Sequence, residues 1–239
     1  MHSPLRIAAI AAALIAASTL NASAAQHYGV VGEDTYQIGR MPGGTHILYR
    51  GVERLDVENE DDGRRYEADA DYTRVDESGK TAVRASFVQE LLRDGTFVDR
   101  SDDDPDFLTI LNQPFAVQLD RPTLRDIERL SQPVPFAAAS PLGGSRLTGH
   151  LSGAAPGLVH GRAAIGVRFV ADGPMTGSLP EHPDALLSGT MHMNGTAYYG
   201  ADGALLLVLD ATLTIDGTLR SANASIPVRI TYHRYIKAT

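Results

Sequence analysis

The chain of 239 residues contains no cysteine and no tryptophan. Without thiols it can form no disulfide, no thiolate metal site and no cysteine-dependent catalytic centre. A lipid anchor attached to a cysteine after a signal cleavage site is excluded for the same reason. The stability of the fold must therefore come from burial of apolar side chains, for which a chain of this length is sufficient.

Long apolar stretches are also absent after residue 24. The one such stretch, residues 7–20, follows Arg6 and is followed by the small residues Ala22 and Ala24. A basic start, a short apolar stretch and an Ala-x-Ala pattern are typical of a secretory signal peptide. We therefore expect an export signal at residues 1–24, cleaved at or near Ala24. The expected product is a periplasmic or secreted protein that does not span the membrane after cleavage.

Basic residues are scarce relative to acidic ones. The chain has 21 Lys and Arg against 29 Asp and Glu, a formal net charge of −8. The excess of acid lies in residues 25–120, whereas residues 121–239 are close to balanced. A protein that binds nucleic acid needs a concentrated basic face. We therefore expect no nucleic-acid partner.

Alternation of apolar and polar residues dominates the rest of the chain. Tyr66, Ala68, Ala70 and Tyr72 fall on one face of an extended segment, with polar residues between them. This period of two is typical of a half-buried strand. Residues 81–92 fit either a strand or a helical face, and their hairpin context favours a strand.

One helix is indicated at about residues 122–131. Pro122 lies in its first turn, three apolar residues follow at three-residue spacing, and Pro133 ends it. Together these patterns predict a mainly β fold, with a long antiparallel meander that forms a curved sheet or incomplete barrel.

Domain organisation follows from the same patterns. We expect an acidic N-terminal β block at 25–120, a helix and linker at 121–144 and a C-terminal antiparallel β block at 145–239. The two blocks are either separate units or one continuous domain. The expected architecture resembles that of exported half-barrel proteins that carry lipids, and this likeness concerns architecture alone.

An acidic run is the first candidate site. Asp102, Asp104 and Asp106 have the spacing at which a calcium loop begins. Such a loop needs glycine at its sixth position and a bidentate glutamate at its twelfth, where this sequence has Phe107 and Gln113. We therefore interpret the run as a solvated loop and predict no metal site and no cofactor.

Four polar residues of the second block form the other candidate set: His150, His160, His192 and Asp210. A turn at residues 154–157 would place His150 opposite His160, and a histidine pair can bind zinc or respond to pH. His192 and Asp210 fall on neighbouring strands, with Arg229 as the expected ion-pair partner of Asp210. No third metal ligand is fixed by the spacing.

Catalytic motifs are missing, since the sequence has no G-x-S-x-G, H-E-x-x-H, phosphate-binding glycine loop or dinucleotide fingerprint. The leading hypothesis is an exported non-enzymatic β protein that binds an apolar or amphipathic, lipid-like ligand or a cell-envelope protein. A structural or adhesive envelope module is the alternative. A hydrolase that uses the four polar residues is a further alternative.

Overall fold

The computed structural model describes residues 25–39, 43–60, 63–92, 97–99, 121–129, 133–138, 147–179, 182–201, 205–221 and 224–239. Strands account for nearly all of these residues, which confirms the predicted mainly β fold. The predicted signal peptide and the acidic run at Asp102–Asp106 lie outside the described residues.

The described residues form eleven strands and one helix. In order they are β1 (Gln26–Ile38), β2 (Thr45–Glu60), β3 (Gly63–Asp76), β4 (Gly79–Leu92), β5 (Phe97–Asp99), α1 (Arg121–Arg129), β6 (Val134–Ala138), β7 (Leu147–Val159), β8 (Arg162–Leu179), β9 (His182–Gly200), β10 (Leu206–Ser221) and β11 (Ala224–Ala238). Residues 81–92, which the sequence left open, are a strand within β4.

All strands join one antiparallel sheet in the order β5-β4-β3-β2-β1-β11-β10-β9-β8-β7-β6. The first and last strands pair at its centre, with Val30 opposite Ile236, so the two sequence blocks share a sheet. Strands that follow one another in sequence are neighbours in the sheet, except that β5 and β6 lie at opposite edges and β1 pairs with β11. The sheet is open, and the chain that leads from one edge to the other contains α1.

One face of the sheet, called the inner face here, carries the core. Tyr66, Ala68, Ala70 and Tyr72 are buried on β3, and the residues between them are exposed, as their alternation predicted. A Cβ atom built on the inward-facing Gly149 would overlap the carbonyl of Val170 on the next strand. Such glycines let neighbouring strands approach closely where the sheet bends. The bending allows the inner face to enclose its own apolar side chains.

Helix α1 covers part of the inner face. Its residues Leu124 and Ile127 are each 2% exposed and join the core cluster that contains Leu147 and Leu151 of β7. Burying two such side chains stabilises the fold by about 1.5–3 kcal/mol each. The helix lies close to its predicted position. Among the described residues, no helix has the length and apolar character that crossing a membrane requires.

The β7–β8 hairpin turns at a different place from the one predicted. His160 and Gly161 form its turn, with φ angles of 50° and 75°, and Val159 pairs with Arg162. Two residues with positive φ match the twist of the flanking strands, as in a type I′ turn. The segment 154–157 is a bulge within β7 instead. The predicted pairing of His150 with His160 is therefore wrong, because His150 lies opposite Val170.

Candidate functional site

The four polar residues singled out from the sequence are spread over the surface of the second block. His150 is exposed on β7, and His160 is exposed in the hairpin turn at the end of that strand. In the described part of the chain, no group of three histidine or acidic side chains is arranged to hold a metal ion.

His192 and Asp210 belong to two separate pairs on the outer face, the face opposite the core. His192 Nδ1 lies 2.5 Å from Asp172 Oδ1, and His233 Nε2 lies 2.8 Å from Asp210 Oδ1. The predicted pair of Asp210 with Arg229 is wrong, because Arg229 lies opposite Asp216 and contacts it at 3.6 Å. The structure therefore gives no support to a hydrolytic site built from the four residues.

A pocket of about 590 Å³ lies between α1 and the bulged part of β7. Helix α1 contributes Ile127 and Glu128, and the neighbouring strand β8 contributes Ile165. The rest of the lining comes from the approach to β6 and from β7 and β8: Pro133, Ser152, Gly153, Ala154, Ala155, Pro156 and Gly166. We call this the α1 pocket.

The β7 bulge shapes the α1 pocket. Ala155 and Pro156 have no pairing partner on β8, because the register shifts between Ala154 and Gly157. Proline, which lacks a donor for the ladder, is tolerated at a bulge. A Cβ atom on Gly166 would lie 2.8 Å from the carbonyl oxygen of Ala155, so glycine is required for this close approach. Bulges of this kind are frequent beside binding sites.

The walls of the α1 pocket determine its chemistry. Proline, alanine and isoleucine residues make up most of the lining, and Glu128 is the charged residue in it. Its volume lies within the range of ligand sites, about 300–1,000 Å³. Mostly apolar walls with a few polar groups bury the body of a ligand and fix its orientation.

A buried ion pair forms a second polar feature, on the central strands. The side chains of Asp34 on β1 and Arg234 on β11 are 0% and 1% exposed. Arg234 Nη1 donates to Asp34 Oδ1, and Nη2 donates to Oδ2 at 3.2 Å. The guanidinium also lies over the rings of Tyr49, at 5.2 Å, and Tyr232, at 5.8 Å from their centroids.

The electrostatics of this pair reflect its burial. Loss of solvent raises the pKa of Asp34 above its ordinary value, while Arg234 and the Tyr49 hydroxyl, which donates to the carboxylate, act in the opposite direction. Burial likewise raises the pKa of Tyr49. Because Arg234 already makes a two-point contact, a ligand could reach it only by displacing Asp34. We therefore assign the pair to joining β1 and β11.

This pair is not among the residues predicted from the sequence, although a signal for it is present there. Asp34 continues the inward positions Val30 and Gly32 of β1, and Arg234 continues Ile230 and Tyr232 of β11. A charged residue at an inward position of a strand whose other inward residues are apolar predicts a buried partner of opposite charge. The partner could not be chosen from the sequence, because the two residues are 200 positions apart.

Comparison with known proteins identified no family model and no curated protein that matches this chain.

Proposed function

We propose that this chain is an exported, non-enzymatic binding protein that holds an amphipathic small molecule in the α1 pocket. The observation that carries the proposal is the pocket itself, which lies between a helix and a bulged strand and has mostly apolar walls.

The size and composition of the pocket support a ligand with an apolar body. Ile127 and Ile165 lie in its lining, together with prolines and alanines that offer no hydrogen-bonding side chain. Removal of apolar ligand surface from water contributes about 25 cal/mol per Å². An apolar chain or ring system is therefore the part of the ligand that these walls favour.

The polar groups of the pocket indicate the other end of the ligand. Glu128 offers a carboxylate, which accepts hydrogen bonds. No lysine or arginine contributes to the described lining. The preferred ligand thus carries a cationic or hydrogen-bond-donating head, whereas a carboxylate head would be repelled by Glu128.

The export part of the proposal rests on the sequence of residues 1–24, with its basic start, short apolar stretch and Ala-x-Ala pattern. A periplasmic or extracellular location would bring the pocket into contact with lipid-like molecules of the envelope. Fractionation of cells that produce the full chain tests this part: the mature protein should appear outside the cytoplasm, shortened by about 24 residues.

Binding can be tested with two probes of equal chain length and opposite head charge, dodecylamine and dodecanoate. Isothermal titration calorimetry should show saturable binding of dodecylamine and weaker binding of dodecanoate. The variant Ala155→Phe, which places a ring in the pocket, should lose dodecylamine binding. Ala82→Phe, an equal change at an exposed position of β4, should retain it. Equal binding by both variants, or no binding by the unmodified chain, would refute the proposal.

A further inference from the structure

Five large apolar side chains are exposed together on the outer face of the central strands. They lie on β11, β1, β2 and β3, with exposures of 36–58%: Tyr235, Val31, Leu48, Val52 and Val75. Cross-strand pairing places them side by side, since Val31 lies opposite Tyr235 and Leu48 lies opposite Val75. We call this group the outer patch. Contiguous apolar surface of this kind marks contact with a protein or a membrane more often than isolated exposed residues do.

A cleft of about 380 Å³ runs through the outer patch. Val31, Leu48 and Val75 line it, and the cationic residues Arg50 and Lys80 lie at the same cleft. Arg50 pairs across the sheet with Val31 on one side, and Lys80 pairs with Val75 at the other end of the patch. Two positively charged side chains, Arg50 and Lys80, therefore lie within the apolar surface.

Two carboxylates beside the outer patch already have partners. Glu33 lies 3.2 Å from His46, and Asp71 lies 2.6 Å from Arg84. In the described part of the chain, by contrast, Arg50 forms no ion pair. The same is true of Lys80 and of Lys237, which lies beside the patch on β11. The protein as a whole carries a net charge of −8, so this cationic apolar region is a local exception.

From this arrangement we infer that the outer patch docks the protein onto the surface of an anionic lipid bilayer. Aliphatic side chains enter the boundary between headgroups and acyl chains, and a tyrosine suits that boundary because it has an apolar ring and a polar tip. Lysine and arginine near the surface are attracted to anionic headgroups. Charge complementarity therefore selects an anionic bilayer over a neutral one.

The outer patch and the α1 pocket are independent features. The pocket is covered by a helix that packs on the inner face, and the patch belongs to the opposite face of other strands. Either can fail its test without affecting the other. If both hold, the patch would bring the pocket to a membrane that supplies or receives the ligand.

The test is co-sedimentation of the mature chain with vesicles of phosphatidylcholine alone and of phosphatidylcholine mixed with phosphatidylglycerol. We expect binding to the anionic vesicles that weakens as salt is raised, because salt screens exposed charges. The double variant R50Q/K80Q should lower the partition coefficient about 25-fold, or about fivefold per cation removed. Removal of apolar area in Leu48→Ser should lower it further, by up to about tenfold.

Matched controls come from exposed residues outside the outer patch. Leu158 on β7 is 77% exposed, so Leu158→Ser removes an even more exposed leucine and should leave binding unchanged. Arg168→Gln on β8 removes an exposed positive charge outside the patch and should also leave binding unchanged. Circular dichroism should show that every variant retains its strand content.

Three outcomes would overturn the inference. The first is equal binding to neutral and anionic vesicles. The second is stoichiometric binding of monomeric decyl phosphate with no vesicle binding, which would make the cleft a small-molecule site. The third is a dimer in analytical ultracentrifugation that Leu48→Ser dissociates, which would make the patch an interface between copies.

Discussion

Removing one member of the buried pair of Asp34 and Arg234 should destabilise the protein more than any exposed ion pair does. In Asp34→Leu the guanidinium of Arg234 stays buried, with its side chain 1% exposed, and loses the carboxylate that compensates it. Breaking a buried pair in this way costs about 3–5 kcal/mol, because an unpaired charge remains in a medium of low polarity. Arg234→Met should cost a similar amount by leaving Asp34 without its cation.

The double variant Asp34→Leu/Arg234→Met tests the reasoning more sharply. Replacing both charges by apolar groups of similar volume is often neutral or stabilising. The double variant should therefore be more stable than either single variant, with a coupling energy of about 3 kcal/mol or more. Urea unfolding followed by circular dichroism gives the free energies of unfolding, since the chain has no tryptophan to serve as a fluorescence probe.

The exposed pair of Arg229 on β11 and Asp216 on β10 supplies a control that shares strand β11 with the buried pair. Its side chains are 61% and 48% exposed and its separation is 3.6 Å. Arg229→Met should change the free energy of unfolding by less than about 1 kcal/mol. The buried pair does not join β1 to β11 if the losses in free energy of unfolding from Asp34→Leu and Arg234→Met simply add in the double variant. The same conclusion follows if neither single loss exceeds that of Arg229→Met.

Three further predictions concern the helix, a turn and a carboxylate. Ile127→Ala should lower the free energy of unfolding by about 2–5 kcal/mol, because Ile127 is 2% exposed. Calorimetry should also show weaker dodecylamine binding by this variant. Unchanged stability would mean that α1 is not packed on the sheet. His160→Gly should raise the urea midpoint by an amount equivalent to about 1 kcal/mol, since His160 has a φ of 50° that glycine adopts without strain; a lower midpoint would contradict this account of the turn. Hydrogen bonds from Ser78 are the main reason that the pKa of Asp76 lies below its ordinary value, with Arg74 contributing, so Ser78→Ala should raise that pKa in an NMR titration. Because the folded-state pKa is lowered, the stability from Asp76 is present above its unfolded pKa and is lost as pH falls through the folded value; an unchanged titration would rule out this role for Ser78.

Local alternation was sufficient to predict much of the fold. The inward face of β3 and the position of α1 follow from apolar residues at spacings of two and of three, because these spacings determine which side chains share a face. Residues 81–92 were ambiguous, and the hairpin context that favoured a strand was correct. The pairing of β1 with β11 could not be derived in this way, since pairing between strands at the two ends of the chain leaves no local pattern.

The β7–β8 hairpin shows why register is harder to predict than strand content. Pro156 and Gly157 have the composition of a turn, yet they lie in a bulge. The turn uses His160 instead, and positive φ is uncommon for residues other than glycine. A shift of the turn changes every cross-strand pair. For this reason the predicted pair of His150 and His160 is wrong. The α1 pocket depends on this same bulge and on a helix distant in sequence, which places it beyond prediction from local patterns.

The proposal of a ligand in the α1 pocket is tested most directly by NMR of residues 25–239 with isoleucine methyl groups labelled. On addition of dodecylamine, the Ile127 and Ile165 methyl signals should shift and show intermolecular NOEs to the alkyl chain. Ile47, which is buried on β2 at 4% exposure, should be unaffected. NOEs at Ile47 with none at Ile127 and Ile165, or no saturable shift at any of the three, would contradict the account.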